Sequence, residues 1–244
     1  MFAYRGTITI FWTAQLIPIQ ENTRLRKTPE GDFEILIASA LTQAPPEGGD
    51  IGKETEFNVA DGPLKGHKIK LVYGDYAKVM ARITEYHRGA AENAANENQK
   101  KMQESYVKSF ETGSLEAFKD SQRSWIKDKG PMVESNIGFV ETYRDPQGVR
   151  GEWEGFAATV NLDRTKAFGA LVAAAESSIP KLPWSKDFEK DKFLSPDFSS
   201  LEVLSFSGSG IPAGINIVSL LISLILFPSL LPGEALRALR GIGP

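Results

Sequence analysis

Hydrophobic positions change their period several times along this chain, and each change marks an element. Phe33-Glu34-Ile35-Leu36-Ile37-Ala38 is a short apolar run after a charged start at Glu21, and it predicts a strand. Residues 43–54 are rich in Pro and Gly and read as a loop. His67-Lys68-Ile69-Lys70-Leu71-Val72-Tyr73 alternates with a period of two and predicts a second strand. From there the period lengthens. Asp75 is a short carboxylate suited to an N-cap, and Tyr76, Val79, Met80, Ile83, Tyr86 and His87 follow at helical spacing, with residues 90–95 continuing the helix. Met102, Tyr106, Val107 and Phe110 mark a second helix that Gly113 ends, and Ser114 caps a third carrying Leu115, Phe118 and Trp125 on one side. Two strand-like runs within residues 130–161 then flank Asp145-Pro146-Gln147-Gly148. Pro at the second turn position presets φ and Gly suits the fourth, so a β-hairpin is expected. Its first arm runs from Ile137, Phe139 and Val140 into Glu141, Tyr143 and Arg144, the pattern of a core strand whose end emerges into a cleft. Residues 165–179 form an Ala-rich helix stopped by Pro180; Pro183, Trp184 and Pro196 mark irregular chain; residues 201–206 are a strand candidate leading into a Gly-rich segment. Strands, helices, a hairpin, a helix and a strand make an α+β chain rather than a regular βαβ winding.

Composition narrows the function classes. The chain has 244 residues, enough for one or two domains with a real core, and its 41% apolar and 24% charged content is that of a globular protein. A net charge of −3 argues against a nucleic-acid surface. No cysteine is present, which excludes disulfides, thiolate metal sites and a cysteine nucleophile, and fits a cytoplasmic location. Residues 1–20 make a poor secretory leader, because threonines break the apolar run and no cleavage site stands out. Between Glu202 and Glu234 there is no charge, and the apolar stretch 215–231, about 17 residues, is at the lower limit for a membrane span. Asn216, Ser219, Ser223 and Pro228 weaken that stretch as a span. A catalytic zinc needs three protein ligands and an open position. The only histidines, His67 and His87, lie too far apart in sequence to form the usual helical pair, so no metal site is expected.

Four segments carry more than a fold class: ENTRLRKTPEGDFEILIASA (21–40), GPMVESNIGFVETYRDPQGVRGEWEGFAATVN (130–161), EKDKFLSPDF (189–198) and SGSGIPAGINI (207–217). In this order they resemble the dipeptidyl peptidase III family of zinc exopeptidases, whose members remove dipeptides from the N-termini of oligopeptides. The resemblance implies a lower lobe built on a five-stranded β-barrel with helices around it, and a mainly helical upper lobe that carries the zinc. Residues 21–161 then belong to the lower lobe, 162–199 are an excursion into the upper lobe, and 200–217 return to the barrel. The family's zinc helix, H-E-L-L-G-H, and the E-E-C-R-[AD] helix after it have no counterpart here. Zinc is thus a cofactor of full-length members, none is expected in this chain, and the chain alone is expected to be inactive.

The same resemblance assigns residues. Glu141 matches a carboxylate that holds the peptide's free α-amine, and Tyr143 a phenol that supports the transition state near the scissile carbonyl. Both roles suit exopeptidase chemistry, since an ammonium needs an anion and a developing oxyanion needs a donor. Two apart in a strand, the two side chains would share a face. Gly210, Ile211, Pro212 and Ala213 match the edge against which the peptide adds as an extended strand, and Asn216 matches an asparagine at the peptide N-terminus. Trp125 matches a tryptophan near the cleft. After Ile217 the family continues with Pro-Asn where this chain has Val218-Ser219, so part of the amine pocket is missing. Val-Ser is also what an intron opening in GTAAGT translates to, and residues 1–20 and 218–244 are expected to lie outside the family. Oligopeptides are the implied partners. A peptide-binding module without catalysis, and a membrane-tethered protein held by residues 215–231, are the alternatives.

Overall fold

The structure is a computed structural model that describes residues 21–50, 52–146, 148–184, 186–189 and 198–208. Its first sheet is built from β1 (Thr23–Lys27), β2 (Phe33–Ala38), β3 (Glu56–Asn58) and β4 (Lys68–Asp75), in the order β1-β2-β4-β3. β2 and β4 are parallel and the other pairs antiparallel. β2 lies between two strands and is covered on both sides, which is why it reads as an unbroken apolar run rather than an alternation. Phe33, Ile35 and Ile37 pack with Ile69, Leu71 and Tyr73 of β4 and with Val59 and Leu64.

β1 was not expected as a strand, because TRLRK carries three cations. As an edge strand it turns Arg24 and Arg26 outward, where they pair with Asp75 and Glu34. That pairing overturns Asp75 as a helix cap. Asp75 is the last residue of β4 and its carboxylate accepts both the Nε (2.8 Å) and Nη2 (2.6 Å) hydrogen bonds of Arg24. The N-cap position falls to Tyr76, in the left-handed region at φ 58 and without a side-chain cap bond.

α1 (Ala77–Glu92) comes next, with Met80 and Thr84 buried. Val79 and Tyr86 face solvent despite their helical spacing. The helix does not continue through 90–95. Asn93 closes it with its main-chain N–H on Ala90 O and its Nδ2 on Gly89 O, and Asn96 opens α2 (Glu97–Thr112) by accepting the Gln99 N–H at 2.9 Å. Gly113 ends α2 at φ 78. A Cβ there would stand 2.6 Å from Ile37 Cγ2, so glycine is what lets the helix end touch β2. Asn22 Nδ2 donates to Gly113 O at 2.9 Å and fastens β1 to the same point.

α3 (Leu115–Trp125) starts at Ser114 as expected, its Oγ accepting the Ala117 N–H. A second partner was not expected. Asp50, from the Pro- and Gly-rich loop, accepts from Ser114 Oγ and Leu115 N at 2.6 Å each, and from Glu116 N at 3.2 Å. The three helices enclose a second core of Met80, Met102, Tyr106 and Phe110. One face of the second sheet closes it with Ile137, Phe139 and Trp153. That sheet is β5 (Val133–Phe139), β6 (Trp153–Val160) and β7 (Leu201–Ser207), antiparallel throughout. Gly155 stands opposite Ile137, and a Cβ on it would lie 2.5 Å from Ile137 Cγ1. α4 (Leu162–Ser178) begins three residues before the expected start because Asn161 Oδ1 accepts the Arg164 N–H; it buries no residue. The described strands thus form a four-stranded and a three-stranded sheet in an α+β fold. No described helix is long and apolar enough to cross a membrane; residues 215–231 lie outside the described residues.

Candidate functional site

The site predicted from sequence lies where the β5–β6 hairpin opens out. Its turn forms as expected, with the Gly148 N–H donating to Asp145 O at 3.0 Å and Gly148 at φ 64. The loop is held by Asp145 rather than by its proline. The Asp145 carboxylate, only 3% exposed, accepts Val149 N at 2.8 Å, Arg150 N at 3.0 Å and Arg150 Nη2 at 2.9 Å. Burial opposes the charge, but the two main-chain donors and the guanidinium outweigh it and hold the carboxyl below its usual range. The Gly151 N–H donates to Glu21 O and ties the loop to the start of β1. Arg144 and Glu152 pair across the opening.

β5 ends at Phe139, so Glu141 and Tyr143 are not strand residues and their common side cannot come from alternation. The reason is local. The Val140 N–H donates to Glu152 O at 3.1 Å, and the Glu152 N–H donates to Glu141 O at 2.7 Å. Two residues on one arm face one on the other, the signature of a β-bulge, and the pleat is lost. Glu141 and Tyr143 nevertheless both interact with a third residue. Glu154 Oε1 accepts the Glu141 N–H at 3.0 Å, and the Tyr143 phenol interacts with the same carboxylate. Desolvation first, and Glu154 second, push the Glu141 carboxyl above its ordinary range. Desolvation and the Glu154 and Glu141 charges raise the Tyr143 phenol. Tyr143 is 64% exposed. Sequence reading missed Glu154; the available signal was the pair Glu152 and Glu154 around Trp153, with Glu154 facing Gly138 across the ladder.

Beside this cluster an open cleft of ≈ 680 Å³ lies between β1, the start of α1 and the hairpin loop. Arg24, Asp75, Arg144, Glu152, Ser207 and Gly208 are among its walls; Glu141 and Tyr143 are not. Trp125 is not in that wall either. Its indole packs on the helical core and its Nε1 donates to Glu134 Oε1 at 2.6 Å. Gly210, Ile211, Pro212, Ala213 and Asn216 lie outside the described residues.

Peptidase family M49 matches residues 8–220, a span that starts before Glu21 and runs past Ile217. The chain belongs to peptidase family M49. Among relatives, the dipeptidyl peptidase 3 of Dictyostelium discoideum is 48% identical over 196 residues, 80% of this chain and 26% of the relative. The Homo sapiens protein of that name is 47% identical over 200 residues, 80% of this chain and 27% of the relative. The chain therefore spans about a quarter of the length of these M49 peptidases. The structure of DPP III from Caldithrix abyssi shares the fold, with a TM-score of 0.52 at 16% identity, over 78% of this chain and 29% of that one.

The described residues do not assemble a site for the metal of a metallopeptidase. No three of their His, Asp and Glu side chains come together as ligands. His67 rests edge-on against Phe33, 3.9 Å from Asp32. His87 is set in the helical core against Tyr106 and Phe110, with Nδ1 2.5 Å from Gln103 Oε1, and burial lowers its pKa. What the site offers chemically is a carboxylate and a phenol.

Proposed function

We propose that this chain is the substrate-binding part of an M49 dipeptidyl peptidase, recognising an oligopeptide by its free amino end. Glu141 accepts the ammonium, and Tyr143 donates to the carbonyl oxygen as charge develops on it. Asn216 and the edge 210–213 complete the peptide's track, and the metal belongs to sequence that this chain lacks. The observation that carries the reading is the meeting of Glu141 and Tyr143 at one carboxylate beyond the bulge. Residues 21–161 and 200–217 are assigned to the lower lobe, whose five-stranded barrel would draw its strands from among the seven described ones, and residues 162–199 to the other lobe. The absence of any buried residue in α4 supports that division. The cysteine-free composition supports a cytoplasmic setting.

One charge-assisted contact contributes about 1.5–3 kcal/mol, well short of the roughly 8 kcal/mol of micromolar binding, so affinity in the millimolar range is expected. Titrating a tetrapeptide and its N-acetylated form into the labelled chain tests this by NMR. Only the free amine should shift Glu141 and Tyr143. Its binding should weaken as pH falls through the raised Glu141 pKa, because protonation removes the ammonium's partner, and Glu141→Gln should abolish that acid limb. No cleaved dipeptide should appear with zinc present. Equal shifts from both peptides sink the binding role; chelator-sensitive turnover sinks the division of labour.

A further inference from the structure

Among the described residues, Glu154 is hydrogen-bonded to one member of the proposed site and acts electrostatically on the other. Its Oε1 accepts the Glu141 main-chain N–H at 3.0 Å and its charge acts on the Tyr143 phenol, while the neighbouring Glu152 is engaged by Arg144. Glycines flank it on both sides. Across the ladder stands Gly138, and a Cβ built on Gly208, just past β7, would lie 3.7 Å from Glu154 Cβ. A carboxylate on a regular strand is thereby directed along the hairpin toward the bulge, where regular pairing has stopped and something else must fix the chain.

We propose that Glu154 is a positioning residue of this site: its carboxylate holds the Glu141 main chain and the Tyr143 phenol on one side of the bulged hairpin, and so sets the spacing at which they meet the amino end of a peptide. The proposal rests on the peptide-binding reading above. A buried main-chain N–H needs an acceptor, and here the acceptor is a side chain rather than the opposite strand. Because that acceptor is charged, the bond is of the stronger class. The charge of the same carboxylate acts on the Tyr143 phenol, so Glu154 couples the fixed Glu141 main chain to the side chain two residues on.

Two variants of the full 244-residue chain separate the roles. Glu154→Gln keeps an acceptor without the charge, and Glu154→Ala removes both. Amide exchange at Glu141 should be little changed in the Gln variant and faster by about tenfold or more in the Ala variant, the loss expected for a bond to a charged acceptor. The Tyr143 phenol, read by ultraviolet titration against Tyr143→Phe, should titrate at lower pH in both variants, since the facing anion is gone. Peptide-induced shifts at Glu141 and Tyr143 should survive in the Gln variant and scatter or vanish in the Ala variant. A merely structural glutamate would loosen the amides of residues 133–137 together with Glu141, and leave the Tyr143 titration of the Gln variant where it is in the parent. An Ala variant with parental Glu141 exchange overturns the proposal. If the Ala variant does not fold, an unshifted Tyr143 titration in the Gln variant overturns it. A parent chain that treats free and acetylated peptides alike sinks the binding reading, while exchange and titration still decide what Glu154 holds.

Discussion

Asp145 shows how one side chain can stand in for a stretch of regular structure. Its side chain is almost wholly buried, yet four N–H donors converge on it from Val149 and Arg150. The desolvation that should raise its pKa is overcome by those donors, and the net shift is downward. A carboxyl depressed by folding contributes stability that is complete above its unfolded value, about 3.9, and is lost as pH falls through the folded value. Asp145→Asn keeps one carbonyl acceptor and loses the anion, so it should unfold at lower urea concentration at pH 7, with a loss of about 1–3 kcal/mol. It should also lose less additional stability than the parent between pH 5 and about pH 2. Equal urea midpoints at pH 7 would show that the loop is held elsewhere, for instance through Gly151 and Glu21.

At the scale of elements, the joints between loop and helix matter as much as the helices. α3 is capped by its own Ser114 and by Asp50, and the two differ in how far away the chain supplies them. Asp50 brings a full negative charge to main-chain donors at the positive end of the helix, where an anion is stabilising. Asp50→Ala should cost about 1–2 kcal/mol, as caps generally do, and Asp50→Asn less; urea unfolding of both measures it, and parental stability in Asp50→Ala would remove the cap from the account. This joint marks the limit of what sequence could tell. β2, β4, α2, the Ser114 cap and the hairpin turn were legible because period, apolar run or turn chemistry sits within a few residues. β1 and β3 were not, since these short edge strands are mostly polar and charged and each gives the core a single large apolar side chain, Leu25 and Phe57. Asp75 has the chemistry of a cap, but Arg24, 51 residues earlier, claims it. The pair Glu141 and Tyr143 was singled out only through family resemblance, and its site role stands as a proposal. Alternation gave the wrong reason for their proximity, because a bulge breaks it and Glu154 restores the meeting from the other arm.

Across the whole molecule, two cores share one hinge of packing at Gly113, where α2 ends against β2 and Asn22 joins in. The chain is covered unevenly around them. β2 and the inner faces of the helices are well enclosed, whereas β7 is the outer strand of its sheet and six of its seven residues are exposed. Val203, Leu204 and Phe206 present 47%, 69% and 38% of their surface, and α4 adds Leu171 at 66%. An exposed strand edge with apolar residues on both faces offers main-chain hydrogen bonds and apolar contact at once, and natural proteins normally blunt such edges with charge or cover. In the relatives, about three quarters of the chain lies beyond the part matched here. When this chain is studied by itself, β7 is therefore expected to drive self-association. Sedimentation velocity over a wide range of concentration should show a mass that rises with concentration. Val203→Lys combined with Leu204→Lys places two cations on the exposed edge strand, at its register shift against β6, and should shift the chain toward monomer without unfolding β5 and β6, whose ladder does not depend on those side chains. A monomer at every concentration would show that the β7 edge is protected. Association unchanged in the double variant would move its cause elsewhere, and a further variant lacking residues 215–231 would then show whether that apolar stretch is responsible.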